Sequence, residues 1–164
     1  MKKLLLSILS LYSLSAFSQD KTLLDQIKFN QIQEINYELS SRTNKPIYQD
    51  TAFNYFLKQS ENAIPFLIDK ITDTNLTTIR RKTSGGFYKK GDLAIILLSN
   101  IEFIPYYSIT GIQFDICCET GYLPVGFLSY VNEDRSRFQS KYINYYYGQE
   151  RKKALKRNSK KLKN

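Results

Sequence analysis

The chain has 164 residues, with 24 Lys and Arg, 15 Asp and Glu, 13 Tyr, 10 Phe, two Cys and neither His nor Trp. Without histidine there are no Ser–His or Cys–His nucleophile pairs, and the commonest ligand of zinc, copper and non-haem iron is missing. The formal charge of +9 belongs to the ends: residues 1–18 hold two cations and 151–164 hold eight, so the 14 between them face all 15 acids and leave that span near neutral.

Residues 1–18 have the pattern of an export signal. Lys2 and Lys3 precede an uncharged, mostly apolar run from Leu4 to Phe17, and Ala16 and Ser18 take the small-residue positions of a cleavage site before Gln19. The run is shorter than the roughly 20 residues that span a bilayer core. No cysteine follows it to carry a lipid anchor, and no second run of that kind follows. The expectation is a protein exported to the periplasm or beyond, cut near Ser18–Gln19, and not an integral membrane protein. Residues 19–150 are expected to form a single helical domain, followed by a basic tail over 151–164.

Lys21 to Leu39 reads as one or two helical segments, with Leu24, Ile27, Ile32, Ile35 and Leu39 spaced near a helical stripe. Pro46 marks a boundary. Tyr48 to Gln59 predicts a second helix with Ala52, Phe53, Phe56 and Leu57 on one side. In "SENAIPFLIDKITD", Ile64, Leu67, Ile68 and Ile71 recur at i, i+3, i+4 and i+7, with Pro65 in the first turn, where its missing N–H costs nothing. The stretch "AIPFLIDKI" resembles the opening of a helix in HEAT-type helical repeats. With "GDLAIILL" and a final Tyr-rich helix, it also resembles small exported proteins of Bacteroidota. No second copy follows at a period of ~40 residues, so the resemblance implies a helical packing mode and neither a solenoid nor a function.

Gly85-Gly86 between "TTIRR" and "FYKK" predicts a hairpin or a surface loop. In "GDLAIILLSNIEF", Asp92 is the expected N-cap and Leu93 to Leu98 is apolar all round, the mark of a surrounded helix. Asn100 and Glu102 turn back toward water, and Pro105 ends the helix. Beyond it the period changes to two. Ile112, Phe114, Ile116 and Cys118 alternate with Gln113, Asp115 and Cys117, which predicts a strand with the first set inward. Asn132 or Asp134 caps a last helix with a buried stripe of Phe138, Tyr142, Tyr145 and Tyr146; Gly148 stops it, or the tail prolongs it. The fold class expected is therefore mainly α, a compact bundle of about five helices with a small β-hairpin or strand pair inserted.

The chemistry-bearing residues are few. Adjacent Cα atoms lie about 3.8 Å apart, below the usual disulfide minimum of about 4.4 Å, so Cys117 and Cys118 form a cramped pair. Three readings remain for them: small packing side chains, an intermolecular disulfide through Cys117, or a vicinal redox switch. Asp115 and Glu119 are a chance-level carboxylate pair, too weak for a glycosidase reading. No catalytic motif, cofactor site or metal site is expected. Arg80, Arg81, Lys82, Lys89 and Lys90 around the Gly85-Gly86 turn form either an anion-binding hairpin or a solvated loop. Tyr147, off the helical stripe, is the candidate for a partner contact.

Three function classes follow in order. First is a non-catalytic helical protein that binds a protein partner in the periplasm. Second is a periplasmic immunity or inhibitor protein acting against a toxin, and third a carboxylate-dependent hydrolase. The tail is expected either to be solvated or to meet an anionic surface. Export takes the protein away from cytoplasmic nucleic acid, so no nucleic-acid partner is expected.

Overall fold

The computed structural model describes residues 21–39, 46–81, 85–114, 118–120, 123–149 and 151–153. The expected leader over 1–18 and its expected cleavage position, Lys82, Asp115, Ile116, Cys117 and the tail from 154 onward lie outside the described residues. The protein is mainly helical with antiparallel strand pairs inserted, and two compact units divide between Gln59 and Ser60.

In the first unit, residues 21–30 form helix α1. Strands β1 (Tyr37–Leu39) and β2 (Pro46–Tyr48) pair antiparallel, with Tyr37 opposite Tyr48. Helix α2 (Thr51–Gln59) follows and buries Ala52, Phe53 and Phe56. Asp50 explains where α2 starts. Its Oδ1 accepts from the Phe53 N–H at 2.8 Å, as an N-cap does, while Oδ2 accepts from the Gln33 and Glu34 N–H groups at 2.8 and 3.2 Å. One carboxylate thus starts the helix and fixes the segment after α1.

The expected stripe of α1 is corrected. Leu24 and Ile27 are exposed, whereas Asp25 and Phe29 are buried. At about 100° per residue, Asp25 and Phe29 share a face, and Leu24 and Ile27 point roughly the other way. Two contacts select the inward face. Phe29 meets the Phe56 ring edge-on at 5.9 Å, and Asp25 accepts a 2.8 Å hydrogen bond from the Tyr55 hydroxyl. The helical reading also ends too late: Tyr37–Leu39 is strand, not helix.

The second unit opens with a 3₁₀ turn (Ser60–Ala63) and helix α3 (Ile64–Lys70). Ile64, Leu67, Ile68 and Ile71 are all buried, as their spacing requires. Strands β3 (Leu76–Arg80) and β4 (Phe87–Lys89) form the hairpin, closed by the Arg81 N–H on the Gly86 carbonyl at 3.0 Å. Gly85 and Gly86 have φ of 68° and 72°, the left-handed region that glycine enters without a Cβ penalty. Helix α4 (Lys90–Ile101) runs on directly, and Leu93 to Leu98 are all at most 1% exposed. Burying each such side chain is worth about 2 kcal/mol relative to leaving it in water, so α4 is the axis of this unit. Helices α5 (Tyr106–Thr110), α6 (Phe127–Glu133) and α7 (Arg135–Tyr146) complete it, with a short strand pair, β5 (Cys118–Thr120) and β6 (Leu123–Pro124), before α6. α3 packs on α4 and α7, and α5 and α6 pack on α7.

Three local expectations change here. Asp92 is not the N-cap of α4; Lys89 is, and Asp92 sits three residues in. There its Oδ2 accepts from the Lys89 N–H at 2.9 Å while its other oxygen faces the Arg135 guanidinium. The strand expected from Ile112 is not formed over residues 112–114, where Ile112 is 42% exposed; Cys118–Thr120 is strand. Gly111, at φ 77°, has already spent its backbone ending α5, with its N–H on the Tyr107 carbonyl at 2.7 Å. The Tyr-rich stripe of α7 is buried at Phe138 and Tyr142 but only half-buried at Tyr145 and Tyr146, where α7 leaves the core. Asp134 does cap α7, its Oδ1 accepting from the Arg137 N–H at 2.9 Å.

Gly91 fixes the approach of α4 to the end of α3. Its N–H donates to the Asp73 carbonyl at 2.8 Å, and a Cβ there would collide with the Ile71 carbonyl oxygen and Arg135 Nη1. Neither obstacle is the free end of a flexible chain, because Arg135 Nη1 is itself bonded to the Ile71 carbonyl at 2.8 Å. Gly91→Ala is expected to cost about 2–3 kcal/mol, read as a lowered urea midpoint with an unchanged slope.

Candidate functional site

Two short-range signals build α5. Pro105 precedes its first residue, and Gly111 follows its last. The Thr110 hydroxyl donates to the Tyr106 carbonyl at 2.7 Å and accepts from the Ile112 N–H at 3.0 Å, closing the end of the turn. This five-residue helix lies along the second half of α7, and a groove of about 510 Å³ opens between them. Pro105, Ser108 and Ile109 form one wall; Lys141, Asn144 and Tyr145 form the other, with Gly148 and Gln149 at its end.

A bonded cluster joins this part of α7 to the end of α4. The buried Tyr142 hydroxyl donates to Glu102 Oε1 at 3.0 Å, and Arg151 Nη2 and Nε donate to Glu102 Oε2 at 2.9 and 3.2 Å. The Arg151 guanidinium also covers the Tyr146 ring, 4.2 Å from its centre, and lies 3.6 Å from Glu61. Burial, with the Glu102 charge behind it, holds the Tyr142 phenol far above the usual value. Burial also raises Tyr145 and Tyr146, with Glu102 adding to both. These phenols are therefore neutral hydrogen-bonding groups over the physiological range, and none is poised to act as a base. The same cluster ties residue 151 to the end of α4, so the first residues of the basic segment are held in place.

Uncovered aromatics lie on the chain segments that carry the groove walls. Phe103 and Tyr107, on the segment that enters α5 and on α5 itself, are 81% and 69% exposed. Tyr147, singled out in the sequence, is 57% exposed beside the groove-lining Gly148 and meets the Tyr146 ring edge-on at 4.8 Å. The described hairpin cations are not among the residues that line this groove. Arg80 lies over the Phe87 ring and Arg81 over the Tyr88 ring, at 5.8 and 5.7 Å. Lys89 Nζ donates to Asn132 Oδ1 at 2.7 Å, and the Lys90 N–H donates to the Asn75 carbonyl at 2.8 Å.

Sequence reasoning missed Lys141, Ser108, Ile109, Phe103 and Tyr107. The signal for α5 is Pro105 and Gly111 six residues apart, which bracket the helix. Among the described residues, no group of three His, Cys, Asp or Glu side chains could hold a metal ion, and no helix is long and apolar enough to cross a membrane. Compared with protein-family models, curated proteins and solved structures, the chain matches none.

Proposed function

We propose that this is an exported, non-catalytic binding protein that receives a segment of a protein partner in the groove between α5 and the end of α7. The observation that carries the reading is an open groove between two elements that, with the residues next to them, leave Phe103, Tyr107 and Tyr147 exposed. Exposed Tyr and Phe bring large contact area at small entropic cost, and interface hot spots are rich in Tyr. A non-catalytic role is supported by how the enclosed carboxylates are used. Asp25 is bonded to Tyr55, Asp92 to Arg135, and Glu102 to Tyr142 and Arg151. Each is held by internal partners.

A photo-crosslinking residue placed at Tyr107 or Tyr147, with an equally exposed position such as Leu76 as control, tests the reading. One discrete adduct is expected from the groove positions and none from the control. In the protein without crosslinker, Phe103→Ala and Tyr107→Ala should each weaken capture of that same partner about tenfold or more without moving the melting temperature. Equal adducts from Leu76, or unchanged capture by both variants, would remove the proposal.

A further inference from the structure

We infer that the segment received by this groove is acidic, with a carboxylate beside apolar side chains and Lys141 as its counter-ion. The inference rests on the partner-binding reading above and names the chemistry of that partner.

The charge of the walls argues for it. Residues 103–114 and 135–149, which contain both walls, include no Asp or Glu but contribute Arg135, Arg137 and Lys141. Arg135 is committed to the core, but Lys141 lines the groove. Among the described residues the Lys141 ammonium makes only a weak contact: Nζ reaches the Thr110 carbonyl at 3.5 Å, the outer limit of a hydrogen bond. An incoming carboxylate would replace that contact with a shorter, charge-assisted bond of roughly twice the strength. Glu102 does not compete, because both its oxygens are taken by Tyr142 and Arg151.

The walls also say what surrounds the charge. Ile109 and Pro105 face Lys141 across the groove, and Tyr107 is exposed on the same short helix. A carboxylate flanked by leucine, phenylalanine or tyrosine side chains fits that mixture. A bare polyanion would leave the apolar wall unused. Downstream of Glu150, residues 151–164 hold eight cations and no acid, and Lys152 and Lys153 are exposed. That segment raises the local concentration of acidic chains before docking and makes association depend on salt.

The test is selection of a displayed random-peptide library on the immobilised protein, followed by synthesis of the enriched sequences. Enrichment of Asp or Glu next to Leu, Phe or Tyr is expected. The Glu→Gln form of a selected peptide should bind about tenfold more weakly. Lys141→Glu should lose about as much, while Lys141→Arg keeps most of the binding. A variant with Lys156, Arg157, Lys160, Lys161 and Lys163 changed to Gln should bind with less salt dependence but still discriminate Glu from Gln. Selected peptides that carry no acidic enrichment and yet require Tyr107 would overturn this inference and leave the partner-binding reading standing. Acidic enrichment that survives Lys141→Glu and disappears in the tail variant would also overturn it, assigning the acid to the tail. Peptides indifferent to both Tyr107→Ala and Lys141→Glu, or no selected peptide at all, would overturn both.

Discussion

Arg135→Ala is expected to destabilise the second unit by about 3–5 kcal/mol, a substantial part of what a domain of this size has in hand. Arg135 is 7% exposed and reaches three partners. Nη1 donates to the Ile71 carbonyl at 2.8 Å, Nη2 meets Asp92 Oδ1, and Nη2 and Nε donate to Asn132 Oδ1 at 2.9 and 3.3 Å. It therefore joins the end of α3, the start of α4 and the end of α6 to the first residue of α7. Asp92 is 1% exposed, so removing the guanidinium strands a carboxylate where water cannot reach it. Stranding one partner costs far more than replacing both. Arg135→Met combined with Asp92→Leu should therefore recover most of the loss. Urea unfolding followed by circular dichroism checks both variants. An Arg135→Ala midpoint within the equivalent of 1 kcal/mol of the parent would show that the network contributes little.

The same network shows why part of the fold was legible in the sequence and part was not. Helices α3 and α4 were legible because burial imposes a period: Ile64, Leu67, Ile68 and Ile71 repeat with the helical turn, and Leu93 to Leu98 have no polar side. The hairpin was legible because two consecutive glycines supply positive φ. Asp92 was misplaced because local rules favour a carboxylate at an N-cap, whereas its strongest partner is Arg135, 43 residues away. No local pattern encodes that pairing. In α1, Leu24 and Ile27 made a plausible stripe, and the inward face was instead chosen by Phe56 and Tyr55, about 30 residues on. The groove was hidden for a related reason. Alternation after Ile109 suggested a strand, yet Gly111 and the Thr110 hydroxyl close a short helix at that point and leave Ile112 in solvent.

Raising the pH should expose the second large effect, centred on Tyr142. Its phenol ionises at about 10.0 when unfolded, and burial beside Glu102 holds it protonated well above that in the folded protein. Below pH ~9 both states keep the proton and stability is independent of this group. Above about pH 10 the unfolded chain releases a proton that the folded one retains. Stability then falls by about 1.4 kcal/mol per pH unit from this residue alone. Tyr145 and Tyr146, raised in the same direction, steepen the fall. Tyr142→Phe separates the contributions, because every other titrating group is common to both proteins. At pH 8 the variant should be less stable by about 1–2 kcal/mol, since Glu102 loses one donor while keeping Arg151. Between about pH 10 and pH 11 the parent should lose stability faster than the variant, closing the gap. Urea midpoints measured from pH 8 to pH 11 decide the matter: curves that stay parallel would mean that the Tyr142 hydroxyl reaches solvent in the folded protein.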